Sequence, residues 1–408
     1  MTDDRYTVIS ADCHAGADLL DYRPYLESRY HEDFDAWAAS YVNPHEDLLA
    51  DTADRNWNSA RRLAEMEADG IVAEVVFPNT IPPFFPSAAL MAPAPTRTDA
   101  EQRWAGLRAH NRWLADFCAE APGRRAGVAQ ILLNDVDEAV REVRRTKEAG
   151  LTGGIMLPGT PPGSGLPELH STHYDPLWAV CAELDVPVNH HGGSASPPLG
   201  DEPAARAVFM VETTWFSHRA LWHLIFGGVF HRHPGLRLVL TEQGSGWIPG
   251  VLDMLDYYHG RLVAASRAAT AEAKFGVGLA AAMGDSPAGI WRDHCFVGAS
   301  FMRPHEVPLR HRIGLDKIMW GSDYPHDEGT HPHSREALRL AYADVPADET
   351  AAMLGTNAAR VYGFDLARLA PHAARVGPRI TDISEPLEKI PPDATSPAFA
   401  RGGSVRVW

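Results

Sequence analysis

Eight short runs rich in Val, Ile and Leu, each bounded by Gly, Pro or charged residues, recur along this chain and restrict its folds more than any other feature: residues 7–14, 71–78, 125–131, 153–158, 187–193, 236–244, 295–301 and 318–326. Between them lie segments of helical character. Residues 59–69, 135–149 and 174–184 are examples, the second with Val136, Ala139, Val140 and Val143 at helical spacing. Near-continuous apolar strands alternating with helices require a parallel sheet covered on both faces. Eight such units fit a closed (β/α)₈ TIM barrel of the α/β class better than an open doubly wound sheet. The 408 residues exceed the ~250 of a plain barrel, leaving room for long insertions. The longest connections are 15–70, 79–124, 194–235 and 245–294, and they are expected to cap the C-terminal mouth and set substrate choice. The third is expected to hold a helix over 215–233, stopped by Pro234-Gly235. The barrel is assigned to residues 1–365, and the Pro-rich, polar stretch 366–408 to a tail lying on the surface or on a second subunit of a homo-oligomer. No internal repeat is present.

Charge excludes two classes of partner. Lys plus Arg number 37 against 53 Asp plus Glu, a formal net charge of −16, which argues against nucleic acid and against an anionic membrane surface. No stretch approaches the ~18 apolar residues of a membrane span, and the polar, acidic start does not resemble a secretory signal, so a soluble cytoplasmic protein is expected. Cys13, Cys118, Cys181 and Cys295 are too scattered for a disulfide framework and suit a reducing compartment as buried thiols.

The chemistry-bearing residues gather at strand ends. Asp12 and His14 stand two apart at the end of the first run, so strand alternation points both the same way, toward the barrel mouth. The fifth run ends in Asn189-His190-His191-Gly192-Gly193 and the eighth in Gly321-Ser322-Asp323-Tyr324-Pro325-His326. Barrel enzymes carry their catalytic groups at this end of their strands. Adjacent residues of a regular strand face opposite ways, so one of His190 and His191 is a ligand and the other packs outward; His191 is the ligand assigned. Asp12, His14, His191 and Asp323 would offer two nitrogens and two carboxylates, suited to one Zn²⁺ or Mn²⁺, zinc being preferred, with a position left for water or substrate. Taken singly, each of these residues is more commonly a satisfied polar core group; four at the same end of the barrel's strands argue for a ligand set.

The pieces VISADCH, ADGIVAEVVFP, PVNHHGG, LVLTEQGSGWIP, IMWGSDYPH with EGTHP, and LGTNAARVYGFD span residues 8 to 365. In them the chain resembles the amidohydrolase-related family that includes aminocarboxymuconate semialdehyde decarboxylase and resorcylate-type decarboxylases. The resemblance implies a barrel with one divalent metal, with Asp12 and His14 matching the first-strand ligand pair, His191 the fifth-strand histidine and Asp323 the eighth-strand aspartate. At the end of the sixth strand, where several family decarboxylases have a catalytic His, LTEQGSGW offers Glu242. Glu242 could handle a proton if burial raises its pKa, orient another group, or serve structure alone. His218, in TWFSHRALWH, could supply the missing imidazole or be a surface or capping residue. His326 and Asp327 could line the mouth.

Other motifs fail. Pro249 occupies the third glycine position of GSGWIPG, no Walker or GxSxG sequence occurs, and His31-Glu32 and His305-Glu306 lack the second histidine of HExxH. The reading is therefore a metal-dependent decarboxylase of a small aromatic or unsaturated carboxylic acid, with Asp323 as the proton-handling residue assisted by Glu242 or His218. The same site could instead hydrolyse a lactone, amide or ester, and a third reading is a non-catalytic barrel that only binds.

Overall fold

A computed structural model describes residues 4–43, 46–200, 202–265 and 278–400. The expected strands form one eight-stranded sheet in the order β1 to β8, every neighbouring pair parallel. They are β1 Val8–Ala15, β2 Ile71–Pro78, β3 Arg125–Gln130, β4 Gly154–Met156, β5 Val188–His191, β6 Leu238–Thr241, β7 Cys295–Gly298 and β8 Ile318–Met319. The ring closes through the backbone after β8: Ala11 N donates to Trp320 O at 2.8 Å, Asp323 N to Asp12 O at 2.9 Å and His14 N to Tyr324 O at 2.7 Å. The (β/α)₈ barrel expected from the sequence is thus present.

Strands β6, β7 and β8 are shorter than their apolar runs, and the cause is local. Glu242, Ser300 and Asp323 take φ values of 54°, 47° and 60°, outside the extended region, so regular strand geometry ends by these residues although single backbone bonds, Glu242 N to Gly298 O and Asp323 N to Asp12 O, persist. Strained backbone of this kind costs about 1–3 kcal/mol per residue and clusters at functional sites. In β1 the register slips between Ser10 and Cys13. Ile9 and Ala11 pack in the apolar cluster inside the barrel, and simple alternation from them would turn Asp12 and His14 away from it. The slip reverses the parity and brings both side chains inward.

The helices follow the expected spacing: α1 His31–Ser40, α2 Ser59–Ala68, α3 Ala100–Ala119, α4 Val136–Glu148, α5 Asp175–Glu183 and α6 Pro203–Phe226. The helix expected over 215–233 begins twelve residues earlier, at Pro203, and breaks at Gly227-Gly228, where Gly228 adopts φ 66°; a short helix, Val229–Arg232, follows. Outside the strands, Trp178, Leu177, Leu224, Phe230 and Trp291 fill one continuous core between barrel and helices.

The tail lies on its own barrel as far as it is described. Tyr6 N donates to Pro378 O and Ile380 N to Asp4 O, Ala398 and Phe399 are buried with Ala337, and Ser396 Oγ donates to Glu328 O at 2.7 Å. Its last residues, 401–408, lie outside the described residues. No described helix is long and apolar enough to cross a membrane. The four cysteines are unpaired, and Cys13, Cys181 and Cys295 are buried.

Candidate metal centre

At the C-terminal end of the barrel, His14 Nε2 lies 3.3 Å from Asp12 Oδ1, 3.3 Å from Asp323 Oδ1 and 3.4 Å from Glu242 Oε2. His191 Nε2 lies 3.2 Å from Glu242 Oε2 and 3.6 Å from Asp12 Oδ1. Two groups of potential ligands result, Asp12, His14, His191 and Glu242, and His14, Glu242, Asp323 and His326. Two atoms each about 2.1 Å from one ion sit roughly 3.0–3.4 Å apart, so the spacing suits a single small cation.

The second contacts of each ligand agree. His14 Nδ1 faces Pro78 O at 3.4 Å and His191 Nδ1 faces Gly192 O at 3.0 Å. A ring nitrogen facing a carbonyl carries the proton, which leaves each Nε2 lone pair turned to the centre. Ser300 Oγ donates to Asp12 Oδ2 at 2.7 Å, leaving Oδ1 turned inward. Asp12 Oδ1, His14 Nε2, His191 Nε2, Glu242 Oε2 and Asp323 Oδ2 are all buried without a hydrogen-bond partner among the described residues. Buried polar atoms are normally satisfied, and four converging exceptions, with Asp323 beside them through Oδ1, fit a divalent ion. The backbone makes room for them: a Cβ at Gly321 would lie 2.5 Å from the Asp12 Cβ.

Charge points the same way. Burial alone would lower the pKa of His14, but Asp12, Asp323 and Glu242 hold it well above its ordinary value. Burial would raise Asp12, yet the neighbouring His14 and His191 imidazoles hold its carboxyl well below the usual range. Three carboxylates around two imidazoles make a strongly negative focus, which a cation would offset.

All four expected ligands, Asp12, His14, His191 and Asp323, come together here. Glu242 joins them, so its side chain stands among the candidate ligands as well as being the expected proton-handling candidate. His190 faces outward with Nδ1 3.0 Å from Leu157 O, and burial lowers its pKa to about 4. His218 does not reach the centre. It stacks on Trp247 with ring centroids 3.7 Å apart, burial lowers it to about 4, and it is absent from the cavity wall.

His326 has a larger part than its place in the sequence suggested. Its Nδ1 lies 2.9 Å from Asp323 Oδ1, its Nε2 lies 3.1 Å from Asn79 Oδ1, and its ring centroid is 4.1 Å from that of His14. Burial and His14 push its pKa down, but Asp323 and Glu242 leave it raised overall. Its position three residues after Asp323 in GSDYPH was the available clue.

A cavity of about 540 Å³ opens onto this centre, lined by His14, His191, Glu242 and His326 and walled by Phe77, Leu90, Met156, Phe209 and Met210. Its walls come from the second and third long connections, as expected of a cap, together with the ends of β2, β3 and β4. Asp327 and Glu328 also face it, and no Lys or Arg does so among the described residues. The arrangement can hold an anionic oxygen at the cation and a flat apolar body against the walls.

The amidohydrolase family model matches residues 11–364. The gamma-resorcylate decarboxylase of Rhizobium sp. (strain MTP-10005) is 25% identical over 318 residues, 74% of this chain and 86% of that protein. The one from Rhodococcus jostii (strain RHA1) is 34% identical over 184 residues, 41% of this chain; the match spans 54% of that relative's length, about half. Among solved structures, 5-carboxyvanillate decarboxylase from Novosphingobium aromaticivorans with bound manganese superposes with a TM-score of 0.63 at 22% identity, covering 89% of this chain and 99% of that one. An amidohydrolase from Mycobacterium avium gives 0.66 at 21% identity, covering 88% and 99%.

Proposed function

The chain belongs to the amidohydrolase family, and from that membership we propose that it is a divalent-metal-dependent decarboxylase of small aromatic carboxylic acids. The observation that carries the reading is the grouping of five residues with unpartnered ligand atoms at the end of a largely apolar cavity that no Lys or Arg lines among the described residues. With no Lys or Arg on the wall among the described residues, a bound cation is the group suited to take the carboxylate. Relatives that share the family decarboxylate gamma-resorcylate by name, and a solved neighbour holds manganese. Manganese is therefore preferred here to the zinc expected from the ligand types alone; three carboxylates also suit it.

A bound divalent ion would act as a Lewis acid, taking an anionic oxygen of the substrate and offsetting charge that develops in the ring. Asp12, His14, His191, Glu242 and Asp323 would hold it. Phe77, Met156 and Phe209 would exclude water and lay the ring flat, which is orientation rather than chemistry. The Asp323–His326 pair shares one proton between Nδ1 and Oδ1, 2.9 Å apart, and the same Oδ1 lies 3.3 Å from His14 Nε2. Passed from Nδ1 to Asp323 Oδ1, that proton adds from the carboxyl to the ring carbon bearing the carboxylate. The C–C bond then breaks, its electron pair restores the ring, and CO₂ leaves. His326, which lines the cavity, returns a proton to the pair from solvent.

Incubation of manganese-loaded protein with a panel of hydroxybenzoates and a panel of lactones and esters tests this. Stoichiometric CO₂ and the corresponding phenol support the proposal; hydrolysis of a lactone or ester with no CO₂ from any acid would replace it with metal-dependent hydrolysis. The four unpaired cysteines support a cytoplasmic setting. Val208, Val211 and Trp215, exposed on α6, support the expected homo-oligomer, which light scattering would test.

A further inference from the structure

Gln130 ends β3, is fully buried, and yet lines the cavity. Alternation from Ala126 and Val128, both in the apolar cluster inside the barrel, directs its side chain inward. Its backbone is clamped on both sides by Asn111 of α3: Oδ1 accepts from Gln130 N at 2.8 Å, and Nδ2 donates to Gln130 O at 2.9 Å. The carboxamide itself has no partner; neither Nε2 nor Oε1 is hydrogen-bonded among the described residues. Leaving both ends of a buried amide unmade is costly, and an apolar side chain would pack here beside Met156 at no such cost.

Three other neutral polar groups of the wall already have partners, and Thr214, also on the wall, is only partly buried. Thr80 Oγ1 bonds to Tyr22 Oη at 2.7 Å, Asn79 to Asn56 and His326, and Thr213 to Ser196. Glu242, Asp327 and Glu328 are acidic and repel a second negative group on a ligand. Gln130 is therefore the fully buried neutral side chain of the wall, among the described residues, whose polar atoms remain to recognise a substituent away from the cation.

We propose that the Gln130 carboxamide reads a ring hydroxyl of the substrate, donating from Nε2 to its oxygen or accepting its proton at Oε1, and so selects hydroxylated monocarboxylic aromatic acids. The inference rests on the aromatic-acid reading above but concerns binding, which can be measured without turnover. A site built to bond a hydroxyl rejects the analogue lacking it, because its own polar atoms are then left unpaired.

Equilibrium binding to the manganese-loaded protein is measured for 2-nitrophenol and for its isomers with one further ring hydroxyl, among them 2-nitroresorcinol, an inhibitor of a solved neighbour. At least one hydroxylated isomer is expected to bind about tenfold or more tightly than 2-nitrophenol in the native protein. In Gln130→Leu the preference should fall to within about twofold while 2-nitrophenol keeps its affinity. A preference that survives Gln130→Leu overturns the inference, as does a native protein that shows none. Should Gln130→Leu fold poorly, Gln130→Asn, one methylene shorter, must lose the same preference. A Gln130-dependent preference without CO₂ release from any acid sinks the decarboxylase reading alone; CO₂ release with a preference indifferent to Gln130 sinks this inference alone.

Discussion

Arg62 reaches from α2 to donate through Nη1 to the backbone carbonyl of His14 at 2.7 Å, while its Nε and Nη2 hold the Glu74 carboxylate at 2.8 and 2.6 Å. Both side chains are fully buried, and Arg125 adds a second cation on Glu74 at 3.0 Å. The ion cluster thus sits directly behind the first-strand ligand and joins the barrel to its helix. Breaking such a pair leaves an uncompensated buried charge, whereas both partners together are close to neutral in net worth.

Glu74→Gln is therefore expected to destabilise the protein by about 3–5 kcal/mol, because two buried guanidinium groups lose their shared counter-charge. Urea unfolding measures it. A loss under about 1 kcal/mol would mean that water reaches the cluster.

Glu242→Gln separates two roles for that residue. As a ligand, it should weaken Mn²⁺ binding by about 10- to 100-fold and slow turnover chiefly through lost metal, with saturating Mn²⁺ restoring much of the rate. As a proton-handling group it would leave metal affinity unchanged and lower kcat at every metal concentration. Metal titration with parallel rate measurement decides between them.

Asp323→Asn and His326→Gln address the proton. Each should lower kcat by about 10²- to 10⁴-fold, with the fold intact by circular dichroism. The two losses should fall well short of adding in the double variant, since the pair acts as a unit. Losses that simply add would contradict a shared proton.

His110 sets an acid limit on stability. Buried in α3 with Nδ1 2.8 Å from Tyr22 Oη, it is lowered by desolvation to about 3. Its folded pKa lies below the unfolded value, so the stability it contributes is complete above about pH 6.5 and is lost as pH falls toward 3, by up to about 1.4 kcal/mol per pH unit. Between pH 6.5 and 4, His110→Phe should unfold with a shallower pH dependence than the native protein. An unchanged slope would mean that His110 is reached by solvent.

The barrel was legible because parallel strands buried on both faces leave continuous apolar runs, and eight of them are plain in the chain. Strand lengths were not, because Glu242, Ser300 and Asp323 leave the extended region for reasons of site geometry that no local preference encodes. Asp12, His14, His191 and Asp323 could be picked out from residue type and position at strand ends. Even so, the inward turn of the first pair depends on a register slip that pairing with β2 creates. Glu242 was noticed only as a departure where an imidazole was expected; that its carboxylate reaches both histidines follows from its positive φ. His218 was misleading because its environment depends on how α6 packs, and Trp247 claims its ring. Gln130 carried no signal in one dimension, since a single amide at a strand end is ordinary until its neighbours are known.

Titration of Mn²⁺ into chelator-stripped protein tests the centre most directly. One ion per chain is the predicted result for the native protein, with saturable binding abolished in the double variant Asp12→Asn, His191→Asn while its circular dichroism stays native. No saturable binding to the native chain, or equal binding to the double variant, would contradict it.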